Sequence, residues 1–288
     1  MKKLFYSCLI IFSFFISCED PIPTDYIPYN VIEALLIVNE PIRNIKILKT
    51  QSLFSEFTYD SSLVKDAKVY IIENDNVLEL KYRYSDTLSK NGYFYPDTSY
   101  IIKKNTNYKI KILLSDSTLI TGETITPDSI YWISSCKRYM QYPIDKINTS
   151  TNDSLEWNII KIQPLSLTYY LLMVNCLDTL NYGIYLEPTV NELNKRIDFS
   201  IKYKDEYYRE TNITMLVPTN KVPIIWKYLK WFGLHEISVW LPDNNYRRWS
   251  MQLLMANNLD EKFSSVKGAI GFFGSAFVIR DTTVILKN

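Results

Sequence analysis

The chain has 288 residues, 47% hydrophobic and 22% charged, which is enough apolar matter for roughly two domains and too little charge for a disordered polymer. Its 32 Lys and Arg stand against 31 Asp and Glu, a formal net charge of +1, so no overall field draws it to nucleic acid. A single His excludes multi-histidine metal sites, and four Cys without a C-x-x-C pair exclude a zinc ribbon; neither metal nor cofactor is expected.

The first element is Leu4–Ile16, apolar apart from Tyr6, Ser7, Cys8 and Ser13, behind the basic Lys2-Lys3. Thirteen residues make about 20 Å of helix, short of the roughly 30 Å hydrocarbon core, so a secretory signal is expected and not a span. Phe15-Ile16-Ser17-Cys18 resembles a bacterial lipobox: a bulky residue, a small one, then a thiol that accepts diacylglycerol. Residues 1–17 are therefore expected to be removed, leaving Cys18 as an acylated first residue. The prolines of 18–29 make that stretch an extended tether.

From Asn30 the text turns into short β-like runs: Val31–Val38, Ile42–Thr50, Ala67–Glu73, Val77–Tyr84, Tyr93–Tyr95, Tyr108–Leu114 and Leu119–Ile125. Alternation in Ile45-Lys46-Ile47-Leu48-Lys49 and Tyr108-Lys109-Ile110-Lys111-Ile112 puts lysines on one face and apolar groups on the other. Seven short strands with turn signals at Asn74-Asp75-Asn76 and Asn91-Gly92 predict an immunoglobulin-like β-sandwich over residues 30–127. Thr126-Pro127-Asp128 closes it.

Residues 128–288 predict a second β-rich domain with one or two helices, so the whole is mainly β. Strands are expected at Ser129–Ser134, Leu155–Ile162, Tyr169–Leu177, Ile197–Tyr203 and Thr211–Val217. Trp157 and the Tyr169-Tyr170 pair resemble the tryptophan and tyrosine strands of fibronectin type III modules. Apolar residues at spacings of three and four predict helices at Pro223–Leu234 and Asn245–Ala256, the second capped by Asp243. A final β-pair is expected over Gly268–Phe277 and Val284–Leu286, with glycines at 268, 271 and 274 relieving tight backbone positions.

Candidate chemistry is sparse. Cys136 and Cys176 are 40 residues apart and either form a disulfide in an oxidising compartment or stay as two buried thiols. His235 lies beside Glu236, but no G-x-S-x-G elbow supplies a nucleophile, and a core or surface histidine is the plainer reading. The carboxylate pairs Asp153/Glu156 and Asp205/Glu206 sit in polar, turn-like text and read as solvated loop charges, not as an acid–base pair. The densest aromatic zone holds Trp226, Trp231, Trp240 and Trp249. Exposed, it is a binding surface for sugars or a protein; buried, it is helix-on-sheet core.

This order of features resembles the domain-of-unknown-function family numbered 4249, lipoproteins of Bacteroidota. The carrying stretches are the lipobox at Cys18, Val31–Val38, Val64–Tyr70, Asn91-Gly92-Tyr93-Phe94, Asn107–Ile110 and Thr121–Ile130. Gly268–Gly274 answers to the family's glycine-rich "GLGIFG"-like stretch, while Asp260-Glu261-Lys262-Phe263 lacks its Pro-Phe. The resemblance implies an outer-membrane lipoprotein beside a TonB-dependent transporter, with no enzymatic activity. On this reading the chain is a lipid-anchored accessory or binding protein, on the cell surface or the periplasmic face. An adhesin or envelope-structural lipoprotein is the alternative, and a glycan-active enzyme is the third.

Overall fold

The structure, a computed structural model, describes residues 26–52, 56, 58–84, 91–142, 150–158, 169–194, 212–254 and 261–287. Its spine is the last strand, β16, which runs Ile270–Leu286 for 17 residues, about 55 Å of extended chain. Phe, Val, Ile and Thr fill this stretch and no proline interrupts it, so nothing in the text ends the strand early.

Both edges of β16 are used. Its first part pairs in parallel with β1 (Asn30–Ile37), from Val31 opposite Ile270 to Ile37 opposite Ala276. Its second part pairs antiparallel with β14 (Gly233–Pro242), from Pro242 opposite Ala276 to Gly233 opposite Ile285. Beyond β1, the same edge takes β9 (Tyr139–Gln141) in parallel. β2 (Lys46–Lys49) flanks β1, while β11 (Tyr170–Cys176) and β12 (Asn212–Val217) extend the sheet past β14.

A second sheet covers the β1–β2 half. Its order is β15-β7-β6-β3-β4-β5, with β3 at Lys68–Glu73, β4 at Asn76–Arg83 and β5 at Gly92–Phe94. β6 is Asn107–Leu113, β7 Leu119–Ile125 and β15 Val266–Lys267. The predicted alternation is present: Tyr108, Ile110 and Ile112 are buried and Lys109 and Lys111 are exposed. Val69, Ile71, Ile110 and Ile112 share one apolar core with Ile32, Ala34, Leu36 and Phe273. Among the described residues, the only α-helix besides the longer one at the C-terminal side is α1, the single turn Tyr59–Ser62.

A third sheet, β13-β10-β8, joins β8 (Trp132–Ser134), β10 (Ser150–Trp157) and β13 (Lys221–Ile225). Trp157 is fully buried, its ring edge-on to Trp132 at 6.1 Å and to Tyr170 at 5.2 Å. The tryptophan and tyrosine strands thus meet across two sheets. The molecule is mainly β and sandwich-like, as expected. The boundary at 127–128 falls between β7 and β8, yet β15 and β16 from the C-terminal side complete the sheets on the N-terminal side.

The helix expected over 223–234 is not formed. Lys221–Ile225 is strand β13, Trp226–Tyr228 is a short 3-10 turn, and β14 begins at Gly233. Val222 and Ile224 alternate with exposed Lys221 and Pro223, a period of two that a text crowded with apolar residues had masked. Pro223 is tolerated because β13 is an edge strand. The second helix, α2 at Asn244–Leu254, is present, and Asp243 caps it by accepting a hydrogen bond from the Tyr246 amide at 2.8 Å.

Gly271 permits the parallel pairing. Its φ is +123°, and a Cβ there would stand 2.1 Å from the Ile32 carbonyl oxygen. Gly271→Ala is expected to lower unfolding free energy by on the order of 3 kcal/mol in urea denaturation. A loss under about 0.5 kcal/mol, the size of an ordinary surface substitution, would contradict this role.

Candidate functional site

The four tryptophans do not form one surface. Trp226 is half-buried on the 3-10 turn, edge-on to Tyr142 at 5.2 Å; Tyr142 also meets Phe232, which leans on Tyr182 at 5.3 Å. Trp231, also half-buried, immediately precedes Phe232 at this end. Trp240 lies on β14 seven residues past its first residue, Gly233, about 23 Å at the rise of an extended strand. Trp249 is buried under α2, 5.7 Å from the Phe272 ring. Strand β14 runs between the two aromatic groups.

Trp240 is the one beside an open groove. Its Nε1 donates to Ser238 Oγ at 2.9 Å, and the Arg280 guanidinium stands 5.8 Å from its ring centroid. Register places Glu33 opposite Phe272, Leu35 opposite Gly274 and Ile37 opposite Ala276, while Trp240 is opposite Val278 and Ser238 opposite Arg280. All these side chains point to the face that carries α2. The groove there measures about 390 Å³, floored by Leu35, Ile37 and Phe272 and rimmed by Glu33, Glu40, Arg43, Lys46 and Arg280.

The rim is a charge network. Glu40 takes Arg280 Nη1 at 2.9 Å and Arg43 Nη2 at 2.6 Å, and Arg280 Nε reaches Glu236 at 4.0 Å. These contacts hold the Arg280 plane over Trp240, and the floor stays apolar. Such a groove suits a polar chain with an apolar edge, a peptide or a glycan. Glu33, interrupting the apolar run Val31–Val38, was the sequence signal that this face meets water. Nothing local linked it to Arg280 or Trp240.

The other candidates are dispersed. Asp153 pairs with Lys137 at 3.2 Å and Glu156 with Lys221 at 2.8 Å, so each carboxylate is matched by a lysine. Asp205, Glu206 and Cys18 lie outside the described residues. Cys136 and Cys176 are both free and buried, and the bridge is not formed. Cys136 stands beside Asp281 of β16, while Cys176 lies in β11 beyond β14. Two strand spacings are about 10 Å, past the roughly 7 Å limit for bridged Cα atoms. Burial pushes the thiols up to about 12 and about 11, which leaves them unreactive. Among the described residues, no three His, Cys, Asp or Glu side chains are placed to hold a metal ion.

His235 is a core residue, 1% exposed on β14 between Cys176 and Thr283. Nδ1 bonds the Gly233 carbonyl oxygen at 3.1 Å and Nε2 has no partner. Burial pulls its pKa down to about 4, so the ring is neutral at pH 7, and the Cys176 thiol on the neighbouring strand donates to the Asp178 carbonyl at 3.1 Å. No known family's sequence model matches this chain, and no curated protein matches it.

The depressed pKa has a consequence for stability. The unfolded ring takes a proton near pH 6.5 and the folded one only near 4, so the neutral form's contribution is whole above 6.5 and lost as pH falls through 4. Urea unfolding should therefore show His235→Gln losing up to about 3 kcal/mol less than the parent chain between those limits. This is the only imidazole in the protein, so its ring NMR signals report on it alone. They should not shift between about pH 7 and 5; titration near 6.5 would refute the burial argument.

Proposed function

We propose that this chain is a lipid-anchored cell-envelope protein that works by binding, as the accessory partner of a TonB-dependent transporter in the outer membrane. The anchor is Cys18, acylated after cleavage behind Ser17, and the family numbered 4249 is the kinship that fits this reading. One observation carries it: the Phe15-Ile16-Ser17-Cys18 stretch is followed, seven residues later, by a chain already pinned to the body. The Tyr26 hydroxyl donates to Thr50 Oγ1, the Tyr29 amide donates to the same oxygen at 2.8 Å, and the Thr50 amide donates to the Tyr29 carbonyl at 2.9 Å. The link back to Cys18 therefore joins at a defined corner, beside the start of β1. Its seven residues reach at most about 28 Å.

A short link with a fixed attachment presents the body in a limited range of orientations, which a partner fixed in the same membrane can exploit. The groove beside Trp240 is the surface offered to it. No helix among the described residues is long and apolar enough to cross a membrane.

Two measurements test the proposal. Mature protein from native membranes should have the mass of a chain starting at an acylated Cys18, and Cys18→Ser should keep residues 1–17 and carry no added lipid. Unmodified mass, or a serine variant processed like the parent, refutes the anchor. Co-purification from gently solubilised membranes should recover a TonB-dependent transporter; if none is found while cell-to-cell adhesion depends on the protein, the adhesin reading replaces it.

A further inference from the structure

The outer face of the second sheet carries a charge imbalance that the near-neutral chain hides. A groove of about 460 Å³ lies there, lined by Lys109 and Lys111 of β6, Lys267 of β15 and Arg248 of α2, with Glu123 the one carboxylate on its wall. Register sets the spacing. Lys111 and Lys267 both face Thr121, one from each side, so they stand two strands apart, and Lys109 is two residues from Lys111 on the same face. Lys109 stands directly opposite Glu123, while Lys111 and Lys267 have no carboxylate opposite them on β7. Among the described residues, no ion pair engages Lys109, Lys111 or Lys267. Arg248 is held into the groove by the hydrogen bond from its Nη2 to the Lys262 carbonyl at 2.6 Å. Asn245 is braced by bonds to the carbonyls of Glu123, at 2.7 Å, and Phe273, at 2.9 Å.

We infer that this groove binds the phosphate groups of an anionic membrane surface. Charge complementarity names the chemistry, since four clustered cations against one carboxylate recognise phosphates as point charges. The point at which the chain leaves the body names the source. A Cβ on Gly122 would touch Phe273, three residues along β16 from Ile270, which pairs with Val31 at the start of β1. Along the strand axis the groove therefore lies about 10 Å from the corner where the link to Cys18 joins, and the other end of β16 is some 40 Å further away. This inference rests on the lipid anchor in one respect: acylation at Cys18 brings this end of the molecule, and not the β9 end, against the headgroups. The groove then orients the anchored body and frees the face beside Trp240 for a partner.

The test removes the anchor. Residues 18–288 bearing Cys18→Ser, without the apolar Leu4–Ile16, are sedimented with vesicles of phosphatidylcholine alone and with phosphatidylglycerol added. They should bind only the second, with binding lost as salt is raised. In that background Lys109→Ala with Lys111→Ala should weaken binding by about fivefold for each lysine removed. Lys137→Ala with Arg138→Ala, an equal charge change beside β9, should leave it unaltered. Equal binding to neutral vesicles overturns the inference, as does equal weakening by the control pair, or binding of soluble polygalacturonate with none to the vesicles. Because lipid on Cys18 is read separately by mass, failure of the groove and failure of the anchor give different results.

Discussion

The parallel pairing of β1 with the first part of β16 is the contact on which the rest depends. It joins residues some 240 positions apart and is closed only because Gly271 lets the β16 backbone meet Ile32. Chain closure over that distance is entropically costly and is offset only when large apolar faces are buried at once. They are: from Gly271 to Phe277 every residue of β16 is buried, one face against the second sheet and the other beneath α2. The same strand then continues into β14 and β9. The N-terminal strands β1 and β2 and the strands β14, β11 and β12 from the C-terminal side therefore share one hydrogen-bonded spine and cannot be parted without breaking it.

A polar knot holds the second sheet and α2 to this spine. Asp243 accepts from Thr124 Oγ1 at 2.7 Å and from the amides of Tyr246 and Ser275 at 2.8 and 3.0 Å. Burial raises its pKa, and the hydrogen bond from Thr124 and those from the amides act in the opposite direction. Gly274 leaves the space: a Cβ there would lie 2.8 Å from Tyr246 and 3.0 Å from Asp243 Oδ1. One carboxylate thus caps the helix, pins β7 and orders β16, which places Arg248 and Asn245 over one groove and Trp249 and Tyr246 beside the other.

Much of the fold was legible where the signal was local. Alternation in Tyr108-Lys109-Ile110-Lys111-Ile112 placed both faces of β6, Asn74 with its positive φ marked the β3–β4 turn, and Asp243 before a periodic run marked α2. Residues 223–234 were misread because a short tryptophan-rich run satisfies helical and strand spacing together, and only the free edge of β10 decided between them. Asn91-Gly92 opens β5, the antiparallel partner of β4; Gly92 is required because a Cβ would stand 2.8 Å from the Ile45 carbonyl oxygen.

By itself the sequence determined the β character, the faces of individual strands and the capped helix, because each depends on residues within a turn or a strand of one another. Tertiary structure alone decided which residues share a surface. Lys109, Arg248 and Lys267 come from segments more than a hundred residues apart or from different elements, and the near-balance of 32 cations and 31 anions concealed their grouping. Trp240 was joined to Arg280 and Glu40, and parted from Trp226, in the same way. Strand pairing is set by which edges and apolar faces remain unsatisfied once the local elements exist, and that competition involves the whole chain at once.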